Sequence, residues 1–401
     1  MPLPRQAPPA TAEVAVIGGG VAGISTALHL ARRGVDVVVL EAGEVAGRAS
    51  GRNDGQLLLG LGEHYNRIHG QFGAERAPLL WDFLQKNHDA TLHELRDAGI
   101  ECDLEQQGGL RLAETEHEWR ELQQAAELLR SERRDHELVS VEQLRERLPA
   151  AEGYHGALLL AEEAIVQPAA MVRGLAALAR EAGATIAERC PVAAVDGEAG
   201  AFTARLTDGR AVAAQVVVHC TSSLAPQLDR TGLLARAVFA YRGQILATDP
   251  LPEGLAAQFP ACAMSSNFCY EYFRMHRGRF VIGGMRWSVP GEEQGIRDDA
   301  SHNEQVSKNL VDYAHRHFPA LRDVPFPHAW TGVMAGSPDG LPLCGALPGQ
   351  PGEFALLGFN GYGLSFAYLA GKSLGDLVVD GQSDHPALPM FSPRRLLDAA
   401  R

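Results

Sequence analysis

An unbroken apolar run, Val14 to Ile17, leads straight into Gly18-Gly19-Gly20-Val21-Ala22-Gly23, and Ile24 to Arg33 then carries apolar residues up to Gly34. The pattern predicts a buried strand, a tight turn and a helix closed by a C-terminal glycine. A second apolar run, Val35 to Leu40, predicts a neighbouring buried strand that ends at Glu41. Over 81–148 the reading is mostly helical. Trp119, Leu122, Ala126 and Leu129 recur at three and four residues, and Ser140-Val141-Glu142-Gln143 is a capping-box signature, with Pro149 stopping the helix it opens. Strands are expected at Gly156–Leu160, around Ile186 and from Val192, the last running into a hairpin turned at Asp208-Gly209. A helix over 169–182 precedes Gly183, and Ala214 to Cys220 is a further buried run.

From Tyr241 the apolar period changes to two, which predicts an antiparallel sheet. Tyr241–Leu246 is one strand, and 267–274 pairs with 279–285 around His276-Arg277-Gly278. Tyr270, Tyr272 and Arg274 then share one face, and Cys269, Glu271 and Phe273 the other. A helix over 303–318 follows. Phe354 to Leu357 is another strand, running into Gly358-Phe359-Asn360-Gly361-Tyr362-Gly363 and a helix from Leu364 to Asp380 that Gly381 ends. Alternating strands and helices with an antiparallel insertion make the chain α/β in its first layer and α+β as a whole.

The 401 residues suffice for two domains and a large core, and 46% hydrophobic residues is ordinary for a globular chain. A net charge of −13 argues against nucleic acid or an anionic membrane as a partner and is compatible with a cationic substrate. No segment has the length or purity of a membrane span, and Met1 to Thr11, without an apolar centre, reads as a ragged end rather than a signal peptide. The six cysteines show no CxxC spacing and read as buried thiols of a cytoplasmic protein. No HExxH or Cys/His ligand set appears, and His315 and His317 fall on different helical faces, so no metal is expected.

The glycines at the first junction follow a G-x-G-x-x-G pattern. Gly18 lets the chain turn out of the strand, Gly20 leaves room for a pyrophosphate, and Gly23 lets the helix pack on the strand. The helix N-terminus offers unpaired N–H groups to phosphate, and Glu41, about twenty residues on, can accept from ribose hydroxyls. The loop from Ala42 to Gln56 offers backbone N–H groups, hydroxyls and guanidinium to an anion, or is a long surface loop. The second strand–glycine–helix junction, at 354–364, presents another anionic site or a packing contact.

Gly18 to Gly23, Glu41 and the Ala49-Ser50-Gly51-Arg52-Asn53-x-Gly55-Gln56 run resemble the flavin-dependent D-amino-acid oxidase/glycine oxidase superfamily. The SGRN-x-GQ segment is most similar to its γ-glutamylputrescine oxidase-like branch. The resemblance covers nearly the whole chain. It implies non-covalent FAD in a Rossmann-like FAD-binding domain of the GR2 type, made of 11–84, 156–230 and 325–381. An interleaved substrate-binding domain of antiparallel sheet and helices takes 85–155 and 231–324, leaving tails at 1–10 and 382–401. The implied cofactor contacts are Gly18, Gly20, Val21, Ala22, Glu41, Ala42, Arg48, Ala49, Ser50, Arg52, Asn53, Gly55 and Gln56. Val192 would read the adenine, and Cys220 and Thr221 would lie at the phosphates. Gly332, Gly358, Asn360, Gly361, Tyr362, Gly363 and Leu364 would surround the flavin ring.

Tyr270 and Tyr272 are candidates for an aromatic box around an amine, although either one also fits a core aromatic. Arg274 or Arg286 is a candidate carboxylate clamp, and Arg286, His64 or Arg52 a candidate cation to assist oxygen, because the only lysines are Lys86, Lys308 and Lys372. Two departures from the superfamily bear on the substrate. Asp54 stands where the branch carries a second glycine, and Met334 lies in Gly332–Gly336, where amino-acid oxidases place an arginine that clamps the α-carboxylate. The cysteine that anchors flavin covalently in some members has no counterpart near Gly332.

The expected reaction is FAD-dependent oxidation of a primary or secondary amine. Hydride passes to flavin N5, giving imine, then aldehyde, with oxygen reduced to hydrogen peroxide. An FAD-dependent amino-acid or 2-hydroxy-acid dehydrogenase that does not use oxygen is an alternative, and a non-catalytic flavoprotein subunit is another.

Overall fold

An apolar run with no polar alternation needs cover on both faces, and Val14 to Ile17, in the strand Thr11–Ile17, finds it inside a sheet. In the computed structural model, which describes residues 4–398, this strand lies between parallel neighbours Val37–Leu40 and Ala211–His219. The order continues outward to Thr185–Ala187 on one side and to Glu353–Leu357 and Leu343–Ala346 on the other. Val192–Glu198 and Ala201–Leu206 fold back on Ala211–His219 as an antiparallel excursion. The helix Val21–Arg32 packs on one face of the sheet, against Pro168–Glu181 and Ala367–Asp380. Gly371 permits that approach, since a Cβ there would meet Ser25 Cβ at 2.8 Å. Gly34 and Gly381 end the first and last of these helices with φ of 78° and 72°.

The second sheet runs from His328–Gly336 through Phe239–Ala247, Arg279–Gly283, Glu271–His276 and Ala263–Ser266 to Gly109–Leu112, Ala157–Leu160 and Glu137–Val139. It is antiparallel except where Gly109–Leu112 meets Ala263–Ser266. The helix Glu304–His317, capped by Asn303, lays Val306, Leu310, Tyr313 and Ala314 into a core with Phe273, Phe280 and Phe318.

Several expectations need correction. The stretch 81–148 is mostly helical, but it also holds two strands that were not expected. Strands Gly109–Leu112 and Glu137–Val139 separate the helices Tyr65–Asp97, Glu116–Ser131 and Val141–Arg147. Arg111 breaks the apolar signature of the first of these strands while staying buried, because it pairs with Glu163. The capping box at Ser140/Gln143 is present. Ala157–Leu160 and His328–Gly336, grouped with the first sheet by the expected boundaries at 156 and 325, are hydrogen-bonded into the second. An apolar strand such as Ala157–Leu160 reads alike in either sheet, and His328–Gly336 is set by its long pairing with Phe239–Ala247. The helix Tyr65–Asp97 also runs through the expected boundary at 84/85.

Neither end behaves as a tail among the described residues. Arg180 donates to the Pro4 carbonyl (2.7 Å), and Gln6 Oε1 accepts from Ile186 N (2.8 Å). Phe391 is fully buried against Phe83 and Phe366. Residues 1–3 and 399–401 of the expected tails lie outside the described residues. Asn267, Phe268 and Cys269 have φ of 47°, 57° and 64°, so the strand starts at Glu271 and Tyr270 precedes it rather than alternating within it. Among the described residues no helix is long and apolar enough to cross a membrane.

Candidate active site

The first glycine junction opens onto a cavity of about 480 Å³ at the carboxyl ends of the parallel strands. Gly18 turns with φ 110°, where a side chain would meet Cys220 O at 2.5 Å. The helix N-terminus follows, with Val21 N donating to Ser50 Oγ (3.0 Å). Glu41 Oε2 accepts from Gly19 N (2.6 Å) and Oε1 from Gly43 N (2.7 Å), which fixes the carboxylate and leaves lone pairs for further donors. Thr221 Oγ1 is buried with no partner among the described residues. These donors and acceptors fit an elongated ligand with a phosphate centre and a diol at one end.

A second cavity, of about 160 Å³, shares Ala49, Asn53, Met334, Gly361 and Leu364 with the first. Its walls are aromatic. Tyr272 lies over Gly283 and Tyr362 over Gly62, both places where a Cβ would collide with the ring. Desolvation pushes the phenols of Tyr241, Tyr272 and Tyr362 well above their ordinary range, so they are neutral donors. The Arg286 guanidinium lies 4.8 Å from the Tyr241 ring centroid and 3.2 Å from Glu292 Oε2. Burial raises the Asp54 carboxyl, and the charge of Arg274 opposes that shift.

Residues 13–377 match the family model described as DAO, FAD dependent oxidoreductase. The chain belongs to this family. Its cofactor is FAD, and it is an oxidoreductase of CH–NH or CH–NH2 groups. The chain is 28% identical to gamma-glutamylputrescine oxidoreductase of Escherichia coli (strain K12), over 92% of this chain and 84% of that one. It is 27% identical to glycine oxidase of Bacillus licheniformis, over 91% and 92%. The crystal structure of L-proline dehydrogenase from P. horikoshii superposes with a TM-score of 0.82 at 20% identity, covering 98% and 99%, which establishes the shared fold.

Of the residues expected to contact FAD, Gly18, Gly20, Val21, Ala22, Glu41, Ala42, Arg48, Ser50, Val192, Cys220, Thr221 and Gly363 line the larger cavity. Arg52, Gln56, Gly332, Asn360 and Tyr362 line the smaller one, and Ala49, Asn53, Gly361 and Leu364 line both. Gly55 and Gly358 line neither. With φ of 76° and 78° they shape the turns instead. Asn53 is turned inward, its amide donating to Ala49 O and Ser50 O and its Oδ1 accepting from Gly55 N. Gln56 donates to the carbonyls of Met264 and Phe273.

Tyr270, Tyr272 and Arg286 line the smaller cavity, and Tyr270 is 41% exposed. His64 does not. It is buried beside Phe268, with Nε2 3.4 Å from Glu118 Oε1. Tyr241 was missed as a site residue, although period two already places it on one strand face with Gly243 and Ile245, which also line this cavity. Met334 occupies the shared wall and offers a thioether where an arginine would offer a fork.

Proposed function

We propose that this protein is a cytoplasmic FAD-dependent oxidase of a primary or secondary amine. The observation that carries the reading is the meeting of the two cavities at Ala49, Asn53, Met334, Gly361 and Leu364. A small amine among the tyrosines would there abut the end of the cofactor site beside the second glycine junction. Glu41 would take the ribose hydroxyls, and the N–H groups at Val21 the pyrophosphate. FAD held this way supplies the two-electron acceptor.

The chain's own task is to bind, orient and desolvate. The faces of Tyr241, Tyr272 and Tyr362 suit a cationic amine on arrival, and their enclosure favours its neutral form once seated. Overall, the substrate C–N bond becomes C=N with loss of two electrons and two protons. Water then splits the imine to a carbonyl and an amine. Oxygen takes the electrons and protons as hydrogen peroxide. Six free, buried cysteines support a reducing compartment.

One observation favours a dehydrogenase as second reading. Arg52 is spent on Gly47 O, Asp299 O and Thr331 O, and Arg286 on Glu292, so neither cation is free to assist oxygen. Anaerobic mixing of the holoenzyme with amines and amino acids separates the two. Bleaching of the flavin band by an amine, with rapid recolouring and peroxide on admitting air, is expected. Bleaching without recolouring makes the protein a dehydrogenase, and no bleaching by any amine overturns the reading.

A further inference from the structure

The smaller cavity has one acidic residue in its lining, Asp54, among the described residues. As a residue it is half-buried, yet its Oδ2 is sealed from solvent and has no hydrogen-bond partner. A buried carboxylate oxygen left in that state is costly unless a ligand meets it. The neighbouring backbone holds it there. Asn53 ties itself to Ala49, Ser50 and Gly55 on one side, and on the other Gly55 turns with φ 76° against Val166 O. We propose that Asp54 anchors a second ammonium group of the substrate, so that the enzyme selects diamines over monoamines and amino acids. The proposal rests on the amine-oxidase reading above.

The surrounding charges leave this role open. Arg274 is buried behind the wall, lines neither cavity, and its Nε has no partner among the described residues. Its charge favours the ionised carboxylate against the burial that opposes it. Arg286 and Arg52, the cations in the lining, are engaged elsewhere. The acidic group facing the cavity, beside the ring of Tyr272, is raised by burial, and an ammonium placed against it would join Arg274 in drawing it to the ionised form. An ammonium paired with a carboxylate holds its proton more tightly. The nitrogen that is oxidised must release its proton. The nitrogen that Asp54 holds is thus not the one that reacts, and a substrate using both needs two. An α-carboxylate in the same place would be repelled.

The test is steady-state and stopped-flow kinetics of the holoenzyme with butane-1,4-diamine and pentane-1,5-diamine against butylamine and pentylamine. A preference for the diamines of about 30-fold or more in kcat/KM, carried by KM, is expected from a desolvated charge pair. In D54N that ratio falls to about one, and a bis-quaternary alkane diammonium stops competing with the substrate. Flavin absorbance and Tm report whether D54N is folded. If it is not, the wild-type ratio and competition by the bis-quaternary probe decide alone. Equal use of monoamines and diamines overturns the proposal while leaving an amine oxidase. A D54N loss confined to kcat and equal for all four amines also overturns it. Failure of every amine to bleach the flavin overturns the underlying reading instead.

Discussion

Two glycines illustrate how much a single missing Cβ decides. Gly283 gives its space to the Tyr272 ring, which forms a wall of the smaller cavity. Gly283→Ala is expected to push that ring into the cavity and raise KM for the amine several-fold while flavin content stays normal, read by steady-state kinetics beside the flavin absorbance ratio. Gly18 combines φ 110° with a Cβ position 2.5 Å from Cys220 O. Gly18→Ala should therefore yield protein depleted of flavin, because the strand and the turn into the helix cannot both keep their places. The glycines and Glu41 were legible because a spacing pattern carries their reason. Asp54 was legible only as a departure, and His64, read as a candidate cation, lies away from the smaller cavity. Nothing in one sequence says that Glu118, on another helix, sits 3.4 Å from that imidazole.

The short 3₁₀ turn Arg286–Ser288 depends on its neighbouring strand. Glu271, buried on Glu271–His276, accepts from Trp287 Nε1 (2.6 Å) and Met285 N (3.3 Å), and so sets the turn that carries Arg286 to the cavity. Burial pushes the Glu271 carboxyl up from 4.5 to about 7. A carboxyl raised on folding stabilises fully below its unfolded pKa and loses that contribution as pH rises through the folded one. Thermal melts should show the wild type losing stability between pH 4.5 and about 7, on the order of 3 kcal/mol. Glu271→Gln should flatten the profile across that window. A parallel decline in both proteins would remove Glu271 as its source. At this scale helices with clear caps and spacing were legible, as at Ser140 and Asn303. The strand Gly109–Leu112 was not, because its arginine is paid for by Glu163, a partner 52 residues away.

At the scale of the whole molecule, two layers and a glycine-lined crevice were legible, but the assignment of strands to layers was not, since Ala157–Leu160 and His328–Gly336 carry no mark of the sheet they join. The C-terminal segment is part of the body. Arg395 binds both oxygens of Asp339 (2.6 and 3.0 Å), and Phe391 fills the core beside Phe83. Phe391→Ala should cost about 3–5 kcal/mol in denaturant unfolding. The first sheet also has a consequence for synthesis. Thr11–Ile17 leaves the ribosome some two hundred residues before its parallel neighbour Ala211–His219, which itself waits for Glu353–Leu357. At ordinary elongation rates the apolar strand stays half-covered for roughly 10–40 s. A newborn protein can therefore complete the sheet that backs its glycine-lined crevice only after Glu353–Leu357 has emerged.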